Sequence, residues 1–374
     1  MTRTTGGMGA AALTLAIGAA GGGLMTAIGL PVGWLMGATL SVVGAIFCGL
    51  ELRVPDRLRD ATFFVLGIQA GSGVTPEVVS QVVIWPLSFT IQMVGVALLV
   101  VATKAFLERV FGWDRETALF ASLPGAMSFV LAAASETRAD MTRIVVVQST
   151  RLLLLIGALT PLLGWLEGGE VSADGLRGGV IGEPWQYAAL IGLCLALAWI
   201  GIRSRLPGGL ILGALIGSAL LHGTAVAPVA IPSWIAGPAL VVLGCSIGAR
   251  LRPEHRRAIV ELLAASLSAF AISLSISAVA GFLAVLALGL TFGKVALAYA
   301  PGALEALTVL AFQFDLDPAY VAAHHVIRFV GLALIVPVLA RRLPRNRTPE
   351  SVVRKEAAPI ESAHDSEIDP RNDC

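Results

Sequence analysis

Apolar stretches long enough to cross a bilayer follow one another along this chain, separated only by short loops. In the first half they cover residues 9–28, 31–50, 81–103 and 143–166, with a shorter run at 61–73. In the second half they cover 186–202, 207–227, 234–249, 258–290 and 319–340. A spanning helix needs about 20 apolar residues at 1.5 Å each. Two further runs, 117–135 and 294–312, each carry a Pro-Gly pair. The first run is not a secretory signal, because it stays apolar to Leu30 behind a single basic residue, Arg3.

The charge distribution leaves no water-soluble alternative. Twelve of the 51 charged side chains lie in residues 343–374, so the first 342 residues are only about 11% charged. Soluble domains carry about 25%. Apolar residues make up 56% of the chain before its 41 glycines are counted. This excludes a soluble domain, a disordered chain and a nucleic-acid binder with a basic face. Cys48, Cys194 and Cys245 lie in apolar stretches without a CxxC and read as small packing residues.

The chain is duplicated. Val65-Leu66-Gly67, Gly71 and Pro76-Glu77 recur 177 residues later as Val242-Leu243-Gly244, Gly248 and Pro253-Glu254. Ala121 and Pro124-Gly125-Ala126 recur at the same offset as Ala298 and Pro301-Gly302-Ala303, Asp140 as Asp317, and Arg151 as Arg328. The expected domains are a first membrane repeat over 8–166, a periplasmic linker over 167–185, a second repeat over 186–342 and a disordered cytoplasmic tail over 343–374.

Basic residues favour the cytoplasm. With the N-terminus inside and each Pro-Gly run dipping in and returning, each half crosses five times. An odd number inverts the second half. The basic 51–60 loop then answers to the neutral 228–233 loop, and the neutral 74–80 loop to the basic 250–257 loop. The expected fold is therefore all-α and integral to the membrane, two inverted five-helix repeats with broken, re-entrant Pro-Gly helices.

Few residues could carry chemistry. Arg151 lies nine residues into its run, and Arg328 occupies the matching place. A charge at that depth is costly unless it is paired or faces a cavity; the arginines either face one central site or tie helix ends together through backbone carbonyls. Gln148 and His325 stand three residues earlier, on the same helix face, and His324 widens the polar face of the second helix. Proline removes a helix donor and glycine weakens the helix, so breaks are expected at Pro124-Gly125 and Pro301-Gly302. A free helix N-terminus at a break suits an anion. Paired interrupted helices in two halves point to a transporter site. Glu305, with Ser128 as its counterpart, is a candidate to pair with Arg328 or to bind a coupling ion. Asp315 and Asp317 read as solvated loop charges. Glycines spaced by four, such as Gly67/Gly71 and Gly244/Gly248, read as close helix contacts. The expected substrate-binding set is Arg151, Arg328, Gln148, His324, His325, Pro124, Gly125, Pro301 and Gly302, with Glu305 for ion coupling and no metal.

The Leu-Pro-Gly-Ala of residues 123–126, the Ala-Pro-Gly-Ala-Leu-Glu of residues 300–305, and His324-His325-Val326-Ile327-Arg328 resemble the membrane AbrB family over about residues 8–342. The resemblance implies a duplicated integral protein of the bacterial inner membrane, with a fold similar to the inverted five-helix repeats of cation–proton antiporter and anion transporter relatives. It supplies no substrate. Family members are labelled variously as transcriptional regulators and as ammonia monooxygenases, and the family shares its name with an unrelated soluble DNA-binding regulator.

An oxygenase needs a cluster of metal ligands, and of five histidines only His324 and His325 are close together. Adjacent residues point about 100° apart on a helix, a poor metal pair. A DNA-binding regulator needs a basic recognition module, which the mixed-charge tail is not. The expectation is a multi-pass protein with both termini cytoplasmic, without enzymatic activity or cofactor. It would be a secondary transporter of a small anionic or zwitterionic solute, with H+ or Na+ as candidate coupling ions. A membrane-embedded regulator is the alternative, and a homo-oligomer stays open.

Overall fold

The computed structural model describes residues 5–30, 32–74, 85–125, 127–166, 182–204, 208–229 and 231–340. The expectations for the 167–185 linker (except at 182–185), the 74–80 loop beyond Val74 and the 343–374 tail lie outside the described residues. What is described is helical, with no β-strand among those residues.

In the first half α1 is Thr5–Ala27, α2 Gly33–Phe47, α3 Asp56–Ser72 and α4 Trp85–Phe111. The broken run gives α5 (Arg115–Ser122) and α6 (Met127–Ser135), and α7 is Met141–Leu166. The second half repeats the order. There α8 is Pro184–Arg203, α9 Gly209–Gly223 and α10 Ser233–Gly248. A short α11 (Arg256–Glu261) precedes α12 (Leu263–Leu288). The second broken run gives α13 (Phe292–Tyr299) and α14 (Leu304–Gln313), and α15 is Pro318–Ala340.

Several boundaries differ from the apolar runs; α4, for one, continues to Phe111, well past 103. The short run at 61–73 is a full helix, because Pro55 enters it in an extended conformation and Asp56 places a carboxylate on its first turn. The 258–290 run is not one helix but two, divided at Leu262. It is too long for a single straight crossing of a core about 30 Å thick.

Six helices (α1, α4, α7, α8, α12 and α15) are long and apolar enough to cross a membrane, and α2, α9 and α10 are shorter apolar helices. Large apolar side chains stand open on their outer faces, among them Leu98, Leu286 and Leu334. Trp165, Trp185 and Trp234, all exposed, mark helix ends where aromatic side chains favour the membrane interface. These features mark a multi-pass membrane protein.

The halves interlock through glycine. A Cβ on Gly67 or Gly71 of α3 would lie 2.5 or 2.3 Å from the carbonyls of Ile211 and Leu215 on α9. On Gly244 or Gly248 of α10 it would lie 2.5 or 2.9 Å from those of Leu35 and Thr39 on α2. Backbones that close also exchange side-chain bonds: Thr39 Oγ1 donates to Gly244 O at 3.2 Å, and Ser218 Oγ to Ile68 O at 2.6 Å. The spacing-four glycines are thus packing positions, and α2–α10 and α3–α9 are contacts between halves.

Each broken run is a hairpin. Asp114 caps α5, its carboxylate accepting from Glu116 N and Thr117 N. Beyond α6 the chain returns to that start, where Arg138 N donates to Glu116 Oε2 at 2.7 Å and Asp140 N to Thr117 Oγ1 at 2.8 Å. In the second half the same closure is an ion pair, Lys294 Nζ to Asp317 Oδ2 at 3.0 Å, with both side chains only 8% exposed. Asp317 is therefore not a solvated loop charge; Asp315 is exposed. With 8 to 10 residues per arm, each arm reaches about 12–15 Å at 1.5 Å per residue.

Candidate functional site at the meeting of the two hairpins

Proline at the tip of each hairpin leaves carbonyls at the end of the first arm without helical partners. The long helix that follows supplies them. Arg151 Nη2 on α7 donates to Leu123 O at 3.0 Å. Arg328 on α15 donates through Nη1 to Ala300 O at 2.7 Å and through Nη2 to Gly302 O at 2.8 Å. One turn earlier, Gln148 Nε2 donates to Phe120 O at 3.0 Å, and His325 Nε2 to Leu297 O at 3.2 Å. These bonds match across the halves at the 177 offset. Both arginines therefore brace a tip through its backbone.

The tips meet. Gly125 has φ +97, a conformation that suits glycine. A Cβ there would lie 3.4 Å from Arg328 Nη2 and 3.7 Å from Gly302 O. Beside this junction opens a cavity of about 910 Å3. Pro124, Gly125, Gly302, Glu305, His325 and Arg328 line it, with an apolar wall that includes Phe63, Leu243 and Ile247. Adjoining it, with Gly125, Arg250 and Gly302 on both, is a recess of about 30 Å3, lined by Gln148, Arg151, Arg250, Pro301, Gly302 and Ala303 among others. The structure thus brings eight of the nine expected substrate-binding positions, and Glu305, to one place.

His324 is elsewhere. A one-residue step along the helix turns it away from the cavity and toward α4. Its Nδ1 donates to Tyr320 O at 2.8 Å, and Ser88 Oγ donates to its Nε2 at 2.8 Å. Its ring packs on Tyr320 and Phe89. Tyr299 joins the same buried cluster through Ser88. Of the two roles open to Glu305, the pairing with Arg328 is not formed. Glu305, in the first turn of α14, makes no hydrogen bond or ion pair among the described residues.

Four charged residues of this site were not singled out in the sequence: Arg53, Arg59, Asp60 and Arg250. Arg59, on the cavity wall, binds Asp56 at 2.9 Å and Asp60 at 3.3 Å. Arg250, in the loop after α10, lines both the cavity and the recess. Burial pushes its pKa below the usual guanidinium value, while the negative charge of Glu305 raises it. In the sequence Arg250 is one of several basic loop residues, and its counterpart is Gly73. Only that asymmetry could have drawn attention to it.

The sequence model of the family described as transition state regulatory protein AbrB matches residues 34–344. The chain belongs to the AbrB family. This AbrB-family chain is 26% identical over 326 residues to a protein of Escherichia coli (strain K12) provisionally named regulator AbrB, covering 84% of the chain and 91% of that protein. It is 23% identical over 360 residues to the uncharacterized protein YhjN of Bacillus subtilis (strain 168), covering 88% and 92%.

Proposed function

We propose that this AbrB-family protein is a secondary transporter of a small anionic or zwitterionic solute in the bacterial inner membrane. Its repeats are inverted, ten helices cross and both termini are cytoplasmic. The observation that carries the reading is the cavity at the junction of two broken hairpins. Interrupted backbone is tolerated at membrane depth only where it is buried in protein or lines a cavity, and here it does both. Helix starts at both tips and the charges of Arg250 and Arg328 give the cavity a positive end. Glu305, the cavity-lining carboxylate in the first turn of α14, is the group for a coupling proton or sodium ion. An anion arriving beside it favours neutralising that charge.

Solute flux into proteoliposomes under imposed proton or sodium gradients tests the transporter. Gradient-dependent uptake supports it, and flux equal to that of protein-free vesicles refutes it. Reporter fusions after residues 170 and 345 test the inversion. The first should report periplasm and the second cytoplasm, and the same side for both refutes it. The name of the Escherichia coli relative favours a second reading, in which solute in the cavity biases a conformation that alters gene expression. That reading expects a change in transcript levels on deletion, with no flux in vesicles.

A further inference from the structure

Arg328 has two of its donors on carbonyls at the second hairpin tip. Arg250 makes no hydrogen bond or ion pair among the described residues and reaches both the cavity and the recess. Arg151, 5% exposed, makes a single hydrogen bond among the described residues, to Leu123 O, and lines the same recess. A guanidinium carries five N–H donors, so most of those on Arg151 are left for another partner. Ala303 also lines the recess and begins α14 with no side-chain cap. The start of α14 leaves backbone N–H donors without helical partners, and Leu304 and Glu305, which carry the first of them, line the larger cavity beside the recess. Two guanidinium groups line this recess beside the helix start, and its volume of about 30 Å3 is room for one small group.

The larger cavity differs in character. Phe63, Leu243, Ile247, Leu210 and Phe329 line it, and its volume of about 910 Å3 far exceeds that of an inorganic anion. Water occupies about 30 Å3 per molecule in the liquid, and ligand pockets of about 300–1,000 Å3 take organic solutes. Glu305 and Asp60 are the acidic groups on the cavity wall. Asp60 is already paired with Arg59.

We infer that the recess is a carboxylate site, in which Arg250, Arg151 and the start of α14 hold the head group of an organic monocarboxylate whose apolar chain lies in the larger cavity. This rests on the transporter reading for its purpose but not for its chemistry. A carboxylate accepts from two guanidinium groups and a helix start at once. Glu305 would repel a second negative charge set beside it, so a dianion would have to turn its far end toward Arg53 and Arg59 on the same wall. An ammonium group beside the carboxylate would meet the two arginines, which disfavours amino acids.

The test is calorimetric titration of the purified full chain in detergent with 4-methylpentanoate, leucine and inorganic phosphate. The first two share one apolar chain and differ by the ammonium group. Binding of 4-methylpentanoate at least tenfold tighter than the other two is expected. Arg250→Gln should weaken it about 10- to 100-fold, the range for a lost charge-assisted hydrogen bond, and Arg250→Lys should recover part of that. Ala303→Asp, which places a carboxylate at the recess, should weaken binding by a similar factor and stands in should Arg250→Gln not fold. Leucine binding as tightly as 4-methylpentanoate, phosphate binding as tightly, or unchanged affinity in a folded Arg250→Gln protein would each overturn the assignment. So would failure of 4-methylpentanoate to bind at millimolar concentration. Binding without flux in vesicles would sink the transporter reading and leave this site standing. Flux of 4-methylpentanoate indifferent to Arg250→Gln would do the reverse.

Discussion

Replacing Arg328 by glutamine removes the one side chain that holds two carbonyls of the second hairpin tip. Its guanidinium donates at 2.7 and 2.8 Å to Ala300 O and Gly302 O, and the residue is 3% exposed. Hydrogen bonds to a charged group are each worth about 1.5–3 kcal/mol. Ala300 O keeps its bond from Gly302 N at 2.9 Å, so Gly302 O is the carbonyl that loses its Arg328 donor, at about 1–3 kcal/mol. The glutamine amide is too short to reach either carbonyl. Removing a buried charge also relieves desolvation, which offsets about half of the loss. The net expectation is about 2–4 kcal/mol. Arg151→Gln breaks one such bond, so about 1–2 kcal/mol is expected by the same reasoning. Arg328→Lys should restore roughly half of its deficit, because an ammonium is a point donor and not a fork. Thermal unfolding of the purified variants in one detergent measures all three. Arg328→Gln melting with the wild type, or Arg151→Gln proving the more damaging change, would show that the bonds to the hairpin tips do not hold the junction together.

Breaking the buried pair at the base of the second hairpin, by Lys294→Met or Asp317→Asn alone, should cost about 3–5 kcal/mol, whereas changing both together should cost far less; a double-mutant cycle on melting temperature reads the coupling. Gly71→Ala and Gly244→Ala push a methyl to within 2.3 and 2.5 Å of a facing carbonyl, so each should destabilise by about 1–3 kcal/mol. Gly157→Ala, with nothing within 4 Å, should leave the melting temperature the same or higher. Ser88→Ala removes the hydroxyl shared by Tyr299, Tyr320 and His324. It should lower stability by about 1–3 kcal/mol without changing the affinity of 4-methylpentanoate, since that cluster does not line the cavity.

Much of this architecture was legible in the residues because lipid enforces it. A bilayer admits helices of a set length, so the apolar runs marked the long helices and the Pro-Gly pairs marked their breaks. The 177-residue offset by itself pairs Arg151 with Arg328, and Gln148 with His325. Periodicity along one helix says nothing of what faces it from another. The glycine contacts of α3 on α9 and of α10 on α2 bring the loop after α10 beside the hairpin tips, and that placement turns Arg250 from a basic loop residue into the wall of a cavity. A step of one residue separates His325, on the cavity, from His324, in a hydrogen-bonded cluster with Ser88 and Tyr320. Their sequence context is the same, and only the packing of α15 against α4 and the second hairpin tells them apart. The same holds for the two arginines. Their depth in the chain required a partner, either a solute in a cavity or backbone carbonyls at helix ends, and only the folded tips show that the backbone is that partner.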